Sequence, residues 1–272
     1  MQNRPTGVDW RRHLQGSFVF VLLTVIWTLP AGAQTEHRDP YRFWKWPGQD
    51  VAALAHSLSS RNGLYAAAGG GLLLVAARHD PQLTEDLSSF VPEPADLLVR
   101  IIEEFGNEKA VRPVAGVVFI GTLFTSDQRL QDAAFTSFEA VVFANLITNG
   151  LKSAFGRARP WQEKGAMTFK PFSGNTSFPS GHSTTAFAVV TPWLLYYPNA
   201  FTPGLLVLGA GTALTRLLTN NHWFTDVVAG ASVGFFTAYF LVQRHQQNSR
   251  RVLVAPTLGL HHVGMTVSLN LD

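Results

Sequence analysis

Six apolar runs, separated by glycine, proline and charged residues, constrain this chain more than any other feature of its sequence. Their spans are 63–77, 110–125, 133–151, 182–197, 201–219 and 223–242. Strands facing solvent on one side alternate apolar and polar residues, and that alternation is nearly absent here. The runs therefore predict an all-α fold, a helical bundle of about six core helices.

The length and composition of these runs leave their relation to a membrane open. A membrane-spanning helix needs about 20 apolar residues, and several runs are shorter or carry an acid, such as Glu139 or Asp226. Charged residues make up only 14% of the chain, against roughly 25% in soluble domains, which favours membrane contact. An inner-membrane protein and a soluble periplasmic helical domain both fit the sequence.

The first 33 residues have the pattern of an export signal. Three arginines precede an apolar stretch at 18–29, and small residues follow at 31–33. This order is typical of a secretory signal peptide, and we expect cleavage before Gln34, although an uncleaved anchor has the same pattern. The sequence thus predicts a signal peptide at 1–33 and a location in the bacterial cell envelope.

Two further segments flank a helical domain predicted at 63–248. Residues 34–62 include aromatic and basic side chains at 41–46, a mixture typical of a membrane interface, and they are interpreted as an N-terminal interfacial segment. A surface segment packed on the domain has the same composition. Residues 249–272 alternate in the strand period around a turn region at 259–264, which predicts a C-terminal β-hairpin.

Composition excludes several kinds of chemistry. The chain has no cysteine, so disulfides, thiolate catalysis and cysteine metal sites are excluded. Its formal net charge is +3, and part of that charge belongs to the signal segment. The sequence gives no reason to expect a nucleic-acid partner.

Lys152 and Arg159 form the first of three motifs. Their spacing is close to two helical turns, so both would project from nearly the same side of a helix, while Pro160 discourages helix from Arg159 onwards. A lysine point charge and a planar arginine fork together suit a polyanion such as phosphate. A solvated basic helix end has the same pattern.

The second motif is the run from Pro179 to His182, at the start of the fourth apolar run. The amides of Ser180, Gly181 and His182 are placed to point out of a helix N-terminus, which is an anion-binding position. Glycine lets the backbone approach an oxyanion closely, and His182 is placed to protonate a leaving group. A plain helix cap at Ser180 is the alternative.

The third motif runs from Thr215 to Asp226. His222 and Asp226 have the spacing of neighbours on one helix face. A carboxylate on one imidazole nitrogen fixes the tautomer and raises the basicity of the other nitrogen, as an attacking histidine requires. Arg216 adds a third cation. A surface His–Asp pair that caps a helix has the same spacing.

Together and in this order, the three motifs closely resemble the type 2 phosphatidic acid phosphatase and vanadium haloperoxidase superfamily, with Thr215 where the family pattern has serine. The resemblance implies an acid phosphatase/haloperoxidase-like helical bundle. It also implies a metal-independent phosphatase that hydrolyses a lipid phosphate, or a related phosphomonoester or diphosphate, without a cofactor. In that reaction His222 would form a phosphohistidine, Asp226 would orient it, and His182 would protonate the leaving oxygen. The implied phosphate-binding residues are Lys152, Arg159, Ser180, Gly181 and Arg216.

Two other functions stay open at this point. A vanadate-dependent haloperoxidase would use the same pocket with His222 as the vanadate ligand, although such enzymes are usually much longer. A catalytically silent envelope scaffold would keep the fold for interaction. The expected partner is a phosphorylated lipid or small phosphoester with membrane contact, while the head group and the oligomeric state are not predicted.

Overall fold

The computed structural model describes residues 39–58, 61–90, 96–199, 202–247, 252–259 and 262–269. The predicted signal peptide and its cleavage point lie outside these residues. The helices are α1 Arg42–Leu58, α2 Arg61–Ala76, α3 Asp80–Phe90, α4 Asp96–Glu104, α5 Glu108–Thr122, α6 Gln128–Phe155, α7 Gly181–Tyr196, α8 Thr202–Leu218 and α9 Phe224–Gln247. Two 3-10 turns, Ala77–His79 and Pro160–Gln162, precede α3 and follow α6.

Each of the six apolar runs coincides with a helix, namely α2 and α5 to α9. The prediction of a mainly helical bundle is therefore confirmed. The structure adds helices α1, α3 and α4, which the apolar runs did not include. These three are mixed in composition, so their apolar residues do not form a continuous run.

Two paired strands follow the helices. Strand β1, Val252–Gly259, runs antiparallel to β2, His262–Leu269. Val252 lies opposite Leu269 at the open end, and Gly259 lies opposite His262 at the turn.

The core forms where α6, α7 and α9 pack together. Small and branched apolar residues fill it, including Val141 and Ala144 of α6, Ala188 of α7, and Leu241 of α9. A line of buried polar pairs also joins α6 to α7, and one of them is the 2.9 Å contact between the hydroxyls of Thr148 and Thr184. Because buried hydroxyls and amides must be hydrogen-bonded, these pairs fix the register of α6 against α7.

Two glycines allow α7 and α9 to cross closely. A Cβ on Gly230 would lie 2.2 Å from the carbonyl oxygen of Ser180, and one on Gly234 would lie 2.3 Å from that of Thr184. The same stripe of α9 carries Asp226 one turn earlier, and its carbonyl oxygen accepts the amide of Ser180 at 2.9 Å. The crossing therefore brings the second sequence motif against the third.

Among the described residues, one helix is long and apolar enough to cross a membrane, at 224–246, and 56% of its apolar window is buried inside the protein. Buried core helices have the same length and composition.

The segment predicted to lie at a membrane interface is only partly exposed: the side chain of Trp46 packs into the bundle, whereas that of Trp44 is 88% exposed.

We predict that Gly230→Ala lowers the free energy of unfolding by about 1–3 kcal/mol, because overpacking a close contact forces the helices apart. Gly204→Ala is the matched control, since a Cβ there meets nothing within 4 Å and alanine favours helix by up to about 1 kcal/mol over glycine. Chemical denaturation of both variants measures the difference. Equal stability of the two variants would contradict the close crossing.

Candidate active site

Asp226 is the residue around which the site is built. It occupies the third position of α9, and its Oδ2 accepts the amide of Trp223 at 3.0 Å and the hydroxyl of Ser177 at 2.5 Å. Its Oδ1 accepts Arg157 Nη1 at 2.6 Å. Burial alone would raise the pKa of Asp226, but His222, Arg157 and Ser177 outweigh burial and hold the pKa below its usual value.

Arg157 fixes Asp226 from the opposite side. Its side chain is fully buried, and its Nη2 donates to Asp80 Oδ2 at 2.7 Å. Asp80, the first residue of α3, also accepts the amide of Thr225 at 2.9 Å. Sequence reasoning missed both residues. Arg157 lies between Lys152 and Arg159 and directly follows a glycine, which is the signal that could have identified it; Asp80 has no such signal.

The end of α6 delivers Arg157 and Arg159 to the site. Helix α6 stops at Gly156, which has a left-handed backbone (φ 55°) and donates its amide to the carbonyl of Lys152 at 2.9 Å. A Cβ at Gly156 would lie 1.7 Å from the carbonyl oxygen of Lys170, so only glycine fits. Lys152 and Arg159 therefore do not share one helix face as the spacing predicted, since Arg159 lies in extended backbone beyond the helix end.

His222 lies in the turn before α9, not on the same helix face as Asp226 as the spacing predicted. The turn is tight, because the amide of His222 donates to the carbonyl of Arg216 at 3.2 Å. Its Nδ1 lies 3.6 Å from Asp226 Oδ2, which is beyond hydrogen-bond distance. Burial lowers the pKa of His222 to about 4, although the carboxylate of Asp226 acts in the opposite direction. The imidazole is thus neutral at neutral pH.

Three cations lie close to the two histidines: Lys152 and Arg159 act on His222, and both of them and Arg216 act on His182. Burial lowers the pKa of Lys152, Arg159 and Arg216 alike. Arg216 Nη1 forms an ion pair with Glu103 at 3.0 Å, while its buried Nε has no hydrogen-bond partner in the structure. A buried donor without a partner is costly, and an anionic ligand would satisfy it.

The start of α7 completes the site. Ser180 caps the helix, and its hydroxyl oxygen lies 3.5 Å from the amide of Ser183. The amide of Ser180, expected to face an anion, is instead bonded to Asp226. Gly181 and His182 occupy the first helical turn, whose amides lack acceptors within the helix. A Cβ on Gly181 would lie 3.2 Å from Lys152 Nζ, so this lysine reaches the helix N-terminus.

His182 is the second histidine of the site. Burial and, after it, the charges of Arg216, Lys152 and Arg159 together with His222 lower its pKa to about 3. Thr215, the one departure from the family pattern, donates its hydroxyl to the carbonyl of Thr212 at 2.8 Å. We call Lys152, Arg159, His182, Arg216 and His222 the cationic site.

The cationic site has the chemistry of an oxyanion pocket. It combines two neutral imidazoles, three positive charges and a helix N-terminus, which together favour a tetrahedral anion. The structure therefore brings the histidines and cations of all three motifs into one place.

We predict that Asp80→Asn lowers the free energy of unfolding by about 3–5 kcal/mol, because it leaves the buried guanidinium of Arg157 with one carboxylate instead of two. Gln82→Ala, an exposed change on the same helix, should stay within about 0.5 kcal/mol of the parent. Denaturant titration measures both. An Asp80→Asn protein as stable as the parent would contradict the role given to Arg157.

Comparisons with known proteins agree with the three motifs. The PAP2 superfamily model matches residues 133–250. A lipid A 1-phosphatase of Rhizobium etli is 39% identical over 102 residues, which are 36% of this chain and 44% of the relative. A lipid A 1-phosphatase of Porphyromonas gingivalis is 36% identical over 92 residues, 32% of this chain and 18% of the relative. The chain thus matches less than half of the length of each of these relatives.

The crystal structure of Aquifex aeolicus LpxE is 17% identical in sequence, with a TM-score of 0.45. It covers 60% of this chain and 94% of its own, and at that score it supports no conclusion here. The family match carries the assignment, because residues 133–250 contain all three motifs. The resemblance inferred from the sequence is confirmed, since residues 133–250 match the PAP2 superfamily model.

Proposed function

We propose that this chain is a metal-independent phosphatase that hydrolyses a lipid phosphate, or a related phosphomonoester or diphosphate, through a phosphohistidine at His222. One observation carries the proposal: the buried imidazole of His222 lies beside Asp226 and within the field of Lys152 and Arg159. A neutral imidazole is a nucleophile, whereas a protonated one is not. The surrounding charge selects an anionic substrate.

In the first step, Nε2 of His222 attacks phosphorus. An N–P bond forms as the bond from phosphorus to the leaving oxygen breaks. His182, protonated once the bound phosphate offsets the positive charges around it, gives that oxygen its proton. The proton on Nδ1 of His222 faces Asp226, whose carboxylate offsets the positive charge that develops on the ring. The 3.6 Å gap between them would shorten at that point, as catalytic hydrogen bonds do when the substrate-bound state forms.

In the second step, water attacks the phosphohistidine. His182, now neutral, takes a proton from the water, the N–P bond breaks, and phosphate leaves with His222 restored. Lys152, Arg159 and Arg216, with the Ser180 hydroxyl and the Gly181 amide, would hold the phosphoryl oxygens through both steps. Fixed charges of this kind stabilise phosphoryl transfer without reorganising.

Exposed apolar side chains on one segment support a lipid substrate. Trp161, Met167 and Phe172 are exposed on the segment between α6 and α7 that carries Arg159. Exposed apolar residues of this kind suit a lipid chain or a membrane surface. The lipid A 1-phosphatases matched above act on a phosphorylated lipid by their names, and they support the same substrate class here.

If the substrate is a lipid, the protein should lie in the bacterial envelope, in contact with the membrane and with its site facing the periplasm. Release of the mature chain by osmotic shock without detergent would contradict membrane contact.

We also propose that the C-terminal hairpin at 249–272 and the helical domain at 63–248 are separate structural units. Deletion of residues 249–272 should therefore leave the bundle folded by circular dichroism.

We predict that the full chain releases phosphate in the presence of chelator and that His222→Ala lowers this activity at least a thousandfold, because the nucleophile is lost. The panel contains phosphatidic acid, a polyprenyl diphosphate and an aryl phosphate. His79→Ala, an exposed histidine, is the control. Equal rates for His222→Ala and the parent would overturn the proposal, whereas bromide oxidation by a vanadate-loaded protein would favour the haloperoxidase.

We also predict that phosphate binding raises the pKa of His182 from about 3 towards its ordinary value near 6.5. The anion cancels the positive charges that lower this pKa. By linkage, a proton on His182 then strengthens anion binding, so affinity for inorganic phosphate should rise as the pH falls. Histidine NMR with and without phosphate measures the shift. An affinity independent of pH beyond the titration of phosphate itself would contradict it.

A further inference from the structure

A second buried polar cluster lies far from the cationic site. Its members are Asp50 of α1, Glu139 of α6 and His245 of α9, and their nitrogen and oxygen atoms lie within 4.8 Å of one another. His245 lies about 28 Å along α9 from Asp226, at 1.5 Å per residue. The proposed reaction uses none of these three residues.

The hydrogen bonds around His245 determine which ring nitrogen faces the cluster. The hydroxyl of Thr136 donates its only hydrogen to the carbonyl of Asp132 at 2.6 Å. In its 2.7 Å contact with His245 Nδ1 the hydroxyl therefore accepts, and Nδ1 carries a proton. In the neutral ring, Nε2 then presents a lone pair to the two carboxylates.

The carboxylates lie close to that lone pair. Asp50 Oδ2 is 2.8 Å and Glu139 Oε2 is 3.5 Å from His245 Nε2. Glu139 is only 3% exposed, and neither of its carboxylate oxygens has a hydrogen-bond partner. Arg244 forms a 2.5 Å ion pair with Asp50 Oδ1, but none of the described residues forms a comparable contact with Glu139. The cluster therefore holds one unsatisfied buried carboxylate.

We propose that Asp50, Glu139 and His245 bind one divalent transition metal ion, with zinc as the best match to the donor set. Zinc takes imidazole nitrogen at about 2.0–2.1 Å and carboxylate oxygen at about 2.0–2.2 Å, in tetrahedral geometry. Ligand atoms around it then lie about 3.4 Å apart, and the two contacts to Nε2 bracket that spacing.

The surroundings of the cluster are those of a built metal site. Ligating histidines usually donate the other ring N–H to an oxygen, and Thr136 accepts it here. The ring of Trp46 stacks on the imidazole of His245 at 3.8 Å, which fixes its orientation. The three ligands come from three helices, so the ion would tie α1 to α6 and α9 and act on stability.

The test is metal binding by the full, tag-free chain, with zinc content measured after dialysis and cobalt(II) as a spectroscopic probe. We expect about one ion per chain and a tetrahedral cobalt absorption band. Glu139→Gln and His245→Gln should lose both, and Thr136→Val should bind about 10–100-fold more weakly. His79→Gln, at an exposed histidine, should bind as the parent does.

Zinc should also raise the melting temperature of the parent but not that of Glu139→Gln. Because Glu139→Gln preserves the shape of the side chain, it keeps the test usable if His245→Gln fails to fold. Binding retained by both variants would show adventitious surface sites and overturn the proposal. If the parent does not bind zinc, the metal-site proposal is wrong. The buried carboxyl of Glu139 would then be neutralised by a proton, in keeping with its pKa, which burial raises to about 8. His222→Ala should bind zinc normally, so this test does not depend on the proposed phosphatase activity.

Discussion

Arg157 holds Asp80 and Asp226 by two charged contacts, and all three side chains are fully buried. Ionised groups of this kind are costly to remove from water, so they persist only when each is paired and hydrogen-bonded. Here the pairing has a positional effect, because Asp80 and Asp226 both accept amides at the start of α9. The contact therefore fixes the turn that carries His222 relative to the end of α6. The convergence of the three motifs depends on it.

The same arrangement explains how one pocket accommodates so much positive charge. Arg157 is paired with two carboxylates, whereas the buried Nε of Arg216 has no hydrogen-bond partner among the described residues. Burial lowers the pKa of His182 and of His222, and the positive charges of Lys152 and Arg159 act in the same direction on both. The unbound site thus stores electrostatic strain that an anionic substrate relieves, and this relief links substrate binding to protonation of the catalytic acid.

Much of the site could be predicted from sequence because its chemistry lies in three short motifs. The six apolar runs also predicted the helices that carry them. Geometry within the motifs was predicted less well: Arg159 lies beyond the end of its helix, and His222 precedes its own. Asp80 could not be predicted, because its contact with Arg157 depends on how α3 packs in the bundle. The cluster of Glu139 and His245 was missed for the same reason, since its members are distant in sequence.

The most direct test of the account is to trap the covalent intermediate. The His182→Ala variant would be mixed with a labelled aryl phosphate, whose leaving group needs no proton, and quenched in base. Loss of the residue proposed to activate water should let the intermediate accumulate. We predict acid-labile, base-stable label on the peptide that contains His222, and none when His222 is also replaced by alanine. Label on an oxygen nucleophile, or on a peptide without His222, would contradict the account.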